Sequence, residues 1–206
     1  MSRTVMSTDK MVRLAVLVAI LLILAFTPLG FLKVGPVAIS FLMIPVAIGA
    51  VMIGPGGGAF LGAVFGLTSF LQCFGTDPFG AALLAIQPIF TFILCMVPRI
   101  LAGWLPGLLF KALTARVSRT SAAFVAGLSA AALNTILFVG FLILLFGQTE
   151  IVRSIGGSAL AVIGVLVTGN ALIEALACTV TTGAISRALF SMVPMNKNTG
   201  VEESTQ

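Results

Sequence analysis

The sequence predicts an all-α integral membrane protein, with six transmembrane helices in one bundle and both termini in the cytoplasm. Three observations predict this class. The 206 residues are 59% hydrophobic and only 8% charged, whereas soluble domains carry about 25% charged residues. The apolar residues form long continuous runs, which favours helices over a β-barrel. Basic residues gather at the ends of these runs, where positive charge sets the orientation of a membrane protein.

The first half of the chain supplies three predicted spans, after a flexible polar tail at 1–10. Residues 11–30 form the first span, and we expect a retained helix because no small-residue cleavage site is evident. A short polar hairpin at 33–36 precedes the second span, 38–54. Gly54–Gly58 predicts a tight turn before the third span, 58–73. For the loop from Phe74 to Gly80, a lid over a pocket and a plain turn with its aromatics at the headgroups are both open.

The second half supplies the other three spans. The fourth covers 86–111, and Pro88, Pro98 and Pro106 within it predict kinks. The fifth covers 122–147, and a polar loop at 148–157 follows it. The sixth covers 158–190, which exceeds the ~20 residues that a bilayer requires, so we expect it to tilt or bend. Residues 191–206 are predicted to be a second flexible tail, and 11–190 a single membrane domain.

The basic residues predict the orientation. An even number of spans places both termini on one side, and a cytoplasmic placement puts eight of the 11 basic residues inside and two outside. The net charge of +5 therefore reflects orientation in the cell membrane and does not indicate nucleic-acid binding. The inside set is Arg3, Lys10, Arg13, Lys111, Arg116, Arg119, Arg187 and Lys197.

The residue inventory argues against an enzyme. Histidine is absent, and only two aspartates and three scattered cysteines occur. An intramembrane enzyme needs a nucleophile, a base or a metal cluster within the bundle, so we expect no catalytic residue, no metal and no cofactor. The cysteines are interpreted as small buried hydrophobes. Because no GxxxxGK[ST] loop occurs, any energy source must come from another subunit or an ion gradient.

Two charged residues lie well inside predicted spans, namely Arg99 and Glu174. A charge at membrane depth is costly, so it normally faces the bundle interior or a water-filled cavity. Arg99 lies twelve residues before Lys111, about 18 Å along a helix, and cannot easily reach the cytoplasmic surface. Asn170 precedes Glu174 by four residues, which places both on one helix face.

These positions predict a polar cluster drawn from spans four to six. Asn134 lies in the fifth span, Gln87 near the outer start of the fourth, and Phe79 on the loop before it. The functional interpretation is a pocket for a small polar or anionic ligand, with Arg99 on a carboxylate. The alternative is an Arg99–Glu174 pair that, with Asn134, only holds the helices together.

Two patterns of small residues indicate close helix contacts. Gly58, Gly62 and Gly66 recur every four residues on the third span, and we favour packing within the chain. Ala15 and Ala19 on the first span provide a smooth face that another helix can meet. Alone, two alanines four residues apart are a weak signal.

Several runs resemble one known family. They are 35–49 and 54–62 (the second-to-third helix region), 97–103 in the fourth helix, and 169–174 in the sixth. From about Lys10 to Leu189, the chain resembles the substrate-binding S component of energy-coupling factor (ECF) vitamin transporters. Within that family, these runs are most similar to pantothenate-type members.

The resemblance implies a binding and transport function. S components bind a vitamin with their first and third loops and outer helix halves, and work with a membrane coupling subunit and two cytoplasmic ATPases. The family is thought to topple in the membrane to release substrate inward. Ala15 and Ala19 match the family's AxxxA motif, which meets the coupling subunit. Arg99 suits an anion such as pantothenate, while Glu174 would accept from ligand hydroxyls or orient Arg99.

Other functions stay open from the sequence. In one alternative, the chain is an S component for folate or another water-soluble vitamin. A proton-coupled carrier that uses Glu174 is a second, and a non-catalytic membrane scaffold is a third.

Overall fold

The computed structural model describes residues 8–34, 37–149 and 170–192. These residues form a helical bundle with one small β-hairpin between the first two helices. The elements are α1 (Thr8–Phe26), a 3-10 turn (Pro28–Gly30), β1 (Phe31–Val34), β2 (Val37–Ser40), α2 (Met43–Met52), α3 (Pro55–Gln72), α4 (Pro78–Ile86), α5 (Pro88–Leu113), α6 (Arg119–Phe146) and α7 (Asn170–Met192). The start of the predicted sixth span, 158–169, lies outside the described residues.

The bundle contains clearly apolar helices of membrane-spanning length. Among the described residues, Pro88–Leu113, Arg119–Phe146 and Ala171–Ser191 are long and apolar enough to cross a bilayer. The apolar helix Met43–Met52 is shorter. Helix α1 begins at Thr8, and α7 continues to Met192. The chain is therefore a helical membrane protein, as its composition indicates.

The segment before α2 corrects the predicted second span. β1 and β2 pair antiparallel, with Phe31 opposite Ser40 and Val34 opposite Val37. Helix α2 begins only at Met43, so the predicted helical start at 38 is wrong, and the all-α class misses this hairpin. A short apolar run does not distinguish a strand from a helix. With ten residues, α2 is about 15 Å long, half the thickness of the hydrocarbon core.

The segment between α3 and α5 also differs from the prediction. Part of the predicted loop is helical, because α4 begins at Pro78. The Asp77 carboxylate accepts from the backbone N–H of Phe79 at 3.1 Å, which satisfies one of the free donors of the first turn. Pro88 begins α5 instead of interrupting it, which is a favourable position for proline. Pro98 and Pro106 lie inside α5 as expected.

The glycine stripe of α3 packs against α5 within the chain. A Cβ built at Gly62 would lie 2.2 Å from the Arg99 carbonyl oxygen, and one at Gly58 would lie 2.2 Å from the Gly103 carbonyl oxygen. At Gly66, the corresponding distance to the Cys95 carbonyl oxygen is 2.8 Å. Real Cβ atoms do not approach backbone this closely, so these glycines let the two helices meet along their backbones. The contact fixes the depth of Arg99 in the bundle.

Two apolar clusters stabilise the bundle. The larger one joins α1, α2 and α3 to α5, α6 and α7, with Leu21, Met43 and Leu61 fully buried. The smaller one consists of Leu83, Leu94, Leu142 and Phe146, where α4, α5 and α6 meet. The candidate site lies beside this smaller cluster.

Candidate functional site

A small cavity lies between α3, α4, α5 and α6. Its volume is ≈ 40 Å³, room for a few water molecules. Its polar lining consists of Ser69, Cys73, Asp77, Thr91, Cys95 and Arg99, and its apolar lining includes Phe79, Leu83, Leu94 and Phe138. Two of the predicted site residues, Arg99 and Phe79, therefore meet at one cavity.

Arg99 lies in the wall of this cavity, and not all of its N–H groups have a hydrogen-bond partner among the described residues. Its side chain is 9% exposed, and its Nη1 donates to the Leu94 carbonyl oxygen at 2.8 Å. The guanidinium carbon lies 4.6 Å from the ring centre of Phe138 and 5.6 Å from that of Phe65, so both rings stabilise the charge by cation–π interaction. A guanidinium carries five N–H donors, and Nε has no partner in the described part of the chain. Such a preoriented fork suits a planar carboxylate.

Arg99 and Glu174 do not form an ion pair with each other. The ion pair found among the described residues joins Arg13 to Asp9 on α1 at 2.7 Å. The interpretation that these two residues serve only as a direct pair therefore has no support in this conformation.

Glu174 and Asn134 each bury an acceptor that lacks a partner. Glu174 is half-buried on α7, where that helix packs against β2. Its Oε1, like Oδ1 of Asn134 on α6, has no hydrogen-bond partner among the described residues. Buried polar atoms are almost always paired. With Nε of Arg99, three predicted site residues thus hold polar atoms that a ligand or water would satisfy.

Glu174 and Asn134 do not line the cavity, and neither do the remaining predicted residues whose side chains the structure describes. Gln87 is exposed at the junction of α4 and α5 and does not line the cavity. Asn170 is the first residue of α7, one turn before Glu174, and the orientation of its side chain lies outside the described part. Ala15 and Ala19 are both exposed on α1, on a face that the bundle does not cover.

Sequence reasoning missed several cavity residues. Asp77 was expected only in a loop, although Asp-Pro is a common start of a helix and would have indicated α4. Thr91 is buried at the cavity, and its hydroxyl donates to the Gln87 carbonyl oxygen at 3.0 Å. Cys73 and Cys95 are buried as expected, but their shared position on one cavity has no signature in the sequence. No group of acidic or cysteine side chains suited to a metal ion occurs among the described residues.

Comparison with known proteins agrees with this architecture. The model of the family described as "ECF transporter, substrate-specific component" matches residues 9–186. The pantothenic acid transporter PanT of Lactococcus lactis subsp. cremoris (strain MG1363) is 30% identical over 187 residues, which cover 85% of this chain and 91% of that relative. These matches confirm the resemblance found in the sequence. The chain belongs to the family of substrate-specific components of ECF transporters.

Proposed function

We propose that this chain is the substrate-binding subunit of an ATP-driven ECF importer for pantothenate. One observation carries the proposal: Arg99, Glu174 and Asn134 bury polar atoms that no described residue satisfies. Leaving such atoms unpaired costs about 1–3 kcal/mol each, and more for charged groups. A bound polar ligand would recover this free energy. The similarity to a relative named as a pantothenic acid transporter supports the choice of vitamin.

The chemistry of pantothenate matches these atoms. Its carboxylate is an acceptor for the free donors of Arg99. Its two hydroxyl groups and its amide N–H are hydrogen-bond donors. Oε1 of Glu174 and Oδ1 of Asn134 are acceptors that lack a donor among the described residues. Phe79 would cover the apolar part of the ligand, and Asn170 would contact it from the turn beside Glu174. Gln87 would take part only after movement at the junction of α4 and α5.

We further propose the topology and partners of the chain. Six crossings place both termini in the cytoplasm, and the protein resides in the plasma membrane. The exposed alanines Ala15 and Ala19 on α1 meet a membrane coupling subunit, since small residues allow close helix approach. Two cytoplasmic ATPases bound to that subunit supply the energy. The chain itself performs no catalysis and carries no cofactor.

A thermal stability assay tests the proposed substrate. The full chain, purified in detergent, is heated with each member of a panel of B vitamins. A ligand that binds only the folded state, present at a hundredfold excess over its Kd, stabilises that state by about 2.7 kcal/mol. We expect the melting temperature to rise with pantothenate. A rise with folate or another vitamin instead would reject pantothenate, and no rise with any vitamin would reject vitamin binding.

A matched pair of variants tests the role of Arg99. Arg99→Met removes the buried cation, and Arg116→Met removes an exposed one beyond the end of α5. We expect Arg99→Met to weaken pantothenate binding at least about hundredfold, because a charge-assisted hydrogen bond contributes about 1.5–3 kcal/mol and Arg99 would make two. Arg116→Met should bind as the parent does. Equal affinity of both variants would remove Arg99 from the site.

The buried Oε1 of Glu174, unpaired among the described residues, also favours a second candidate, a proton-coupled carrier. Uptake into vesicles distinguishes the two. An importer of the ECF type requires the coupling subunit and ATP. Uptake by this chain alone that stops when the proton gradient is collapsed would establish the carrier instead.

A further inference from the structure

Two thiols from different helices meet at the wall of the cavity. Sγ of Cys73, at the end of α3, lies 4.0 Å from Sγ of Cys95 on α5. Both residues are buried, and both line the cavity beside Arg99. The third cysteine, Cys178 on α7, contacts Thr182 instead, with Sγ 3.9 Å from the threonine Oγ1. Among the described cysteines, only Cys73 and Cys95 are thus placed to react with each other.

We propose that Cys73 and Cys95 form a reversible disulfide, a thiol modification site in the wall of the cavity. The oxidant would be a small disulfide compound that reaches the two thiols when the walls of the cavity separate. The disulfide would shut the cavity to ligand, and its reduction would reopen it.

The distance between the sulfurs is suited to this reaction. A disulfide bond is about 2.05 Å long, so the two sulfurs must approach by about 2 Å from their present contact. Sγ of Cys73 now donates to the Ser69 carbonyl oxygen at 3.3 Å, a weak bond that is readily exchanged. The sulfur also lies close to α4, because a Cβ at Gly80 would be 2.5 Å from it. Closure of the bond would therefore draw Cys73 from α4 toward α5.

The reaction is a thiol–disulfide exchange in two steps. The Cys95 thiol gives up its proton to water, and the thiolate attacks one sulfur of the compound, whose other half leaves as a thiolate. Cys73 then loses its proton and attacks Cys95 in the mixed disulfide, which releases the second half. The pair loses two electrons, and the compound gains them. Arg99 lies four residues after Cys95 on α5 and lines the same cavity, and a neighbouring cation stabilises an attacking thiolate.

The consequence for binding follows from the size of the cavity. At ≈ 40 Å³ it has little space to lose, and the bond would hold the end of α3 against α5 beside Arg99. We expect the oxidised form to bind the ligand at least about tenfold more weakly than the reduced form. This consequence rests on the proposed function, whereas formation of the disulfide does not.

The experiment uses the full chain in detergent, treated with excess 4,4′-dithiodipyridine. We expect the mass of the intact protein to fall by two hydrogen atoms and peptide mapping to join Cys73 to Cys95. Cys178→Ser should form the same link, and Cys95→Ser should not. A Cys73–Cys95 pair that stays unlinked, under conditions in which the unfolded chain is oxidised, would overturn the proposal.

Pantothenate binding to the same samples tests the consequence. The affinity of the oxidised parent should fall and should recover with dithiothreitol, while the affinity of Cys95→Ser should not respond to the oxidant. If the protein with the Cys73–Cys95 disulfide binds pantothenate as tightly as the reduced protein does, the disulfide does not control access to the cavity. If the reduced protein binds no vitamin, the proposed function fails, and the mass measurement still decides whether the disulfide forms.

Discussion

Replacing Gly62 by alanine tests whether the close contact of α3 with α5 positions Arg99. The new Cβ would lie 2.2 Å from the Arg99 carbonyl oxygen, 2.9 Å from its carbonyl carbon and 3.1 Å from Cα of Ile100. All three atoms belong to the backbone, so no side-chain rotation relieves the overlap. The helices must separate, and Arg99 must move with α5.

The magnitude follows from two opposing effects. Alanine is about 1 kcal/mol more favourable than glycine inside a helix, while forcing a methyl group into a packed contact costs about 1–3 kcal/mol. Gly56, on the same helix, has nothing within 4 Å of its built Cβ, so Gly56→Ala experiences only the favourable effect. We expect Gly62→Ala to be less stable than Gly56→Ala by about 1–3 kcal/mol.

The assay is thermal unfolding of both variants in detergent, followed by titration with pantothenate. Gly62→Ala should melt at a lower temperature than Gly56→Ala and should bind the ligand more weakly, because the donors of Arg99 are displaced. If the two variants melt together and bind alike, the contact between α3 and α5 does not set the position of Arg99.

Three further substitutions address neighbouring parts of the molecule. Phe138→Leu removes the nearer aromatic ring from Arg99 and should weaken carboxylate binding by about 0.5–2 kcal/mol; titration with the alcohol analogue of pantothenate, which lacks the charge, should show a smaller loss. Asp77→Ala removes the cap of α4 and should lower stability by about 1 kcal/mol, whereas Asp77→Asn should keep most of it; equal melting of the two would reject the cap. Ala15→Trp on the exposed face of α1 should leave vitamin binding intact and abolish uptake by the reconstituted complex, and normal uptake would contradict a coupling interface there.

The predictable part of the site comes from the cost of charge in a membrane. Arg99 is exceptional in an apolar run, and that alone predicts that it faces the interior, where it is indeed buried. The same reasoning identified Glu174 and Asn134 as polar residues within spans, and both bury an unpaired oxygen. The residue type at each position was sufficient here, because the free-energy cost of exposing a charged or polar side chain to lipid leaves few places where that side chain can lie.

The unpredicted part depends on contacts between distant segments or on short elements. Residues 37–43, which lead into α2, are apolar except for Ser40, so the strand conformation of β2 becomes evident only through pairing with β1. Gln87 was assigned to the site by its position along the chain, but the helix break before Pro88 exposes it. The meeting of Cys73 with Cys95 depends on how α3 packs against α5, which spacing alone does not define.

The small cavity has a consequence for the kinetics of uptake. Pockets that hold drug-sized ligands measure about 300–1,000 Å³, whereas the cavity beside Arg99 measures ≈ 40 Å³. Under the proposed function, a vitamin would enter this cavity only after its walls had separated. The observed affinity is then the intrinsic affinity multiplied by the fraction of molecules that are open. As the vitamin concentration rises, the association rate should level off at the rate of opening, so transport at saturating vitamin can be no faster than the movement of the helices that form the cavity.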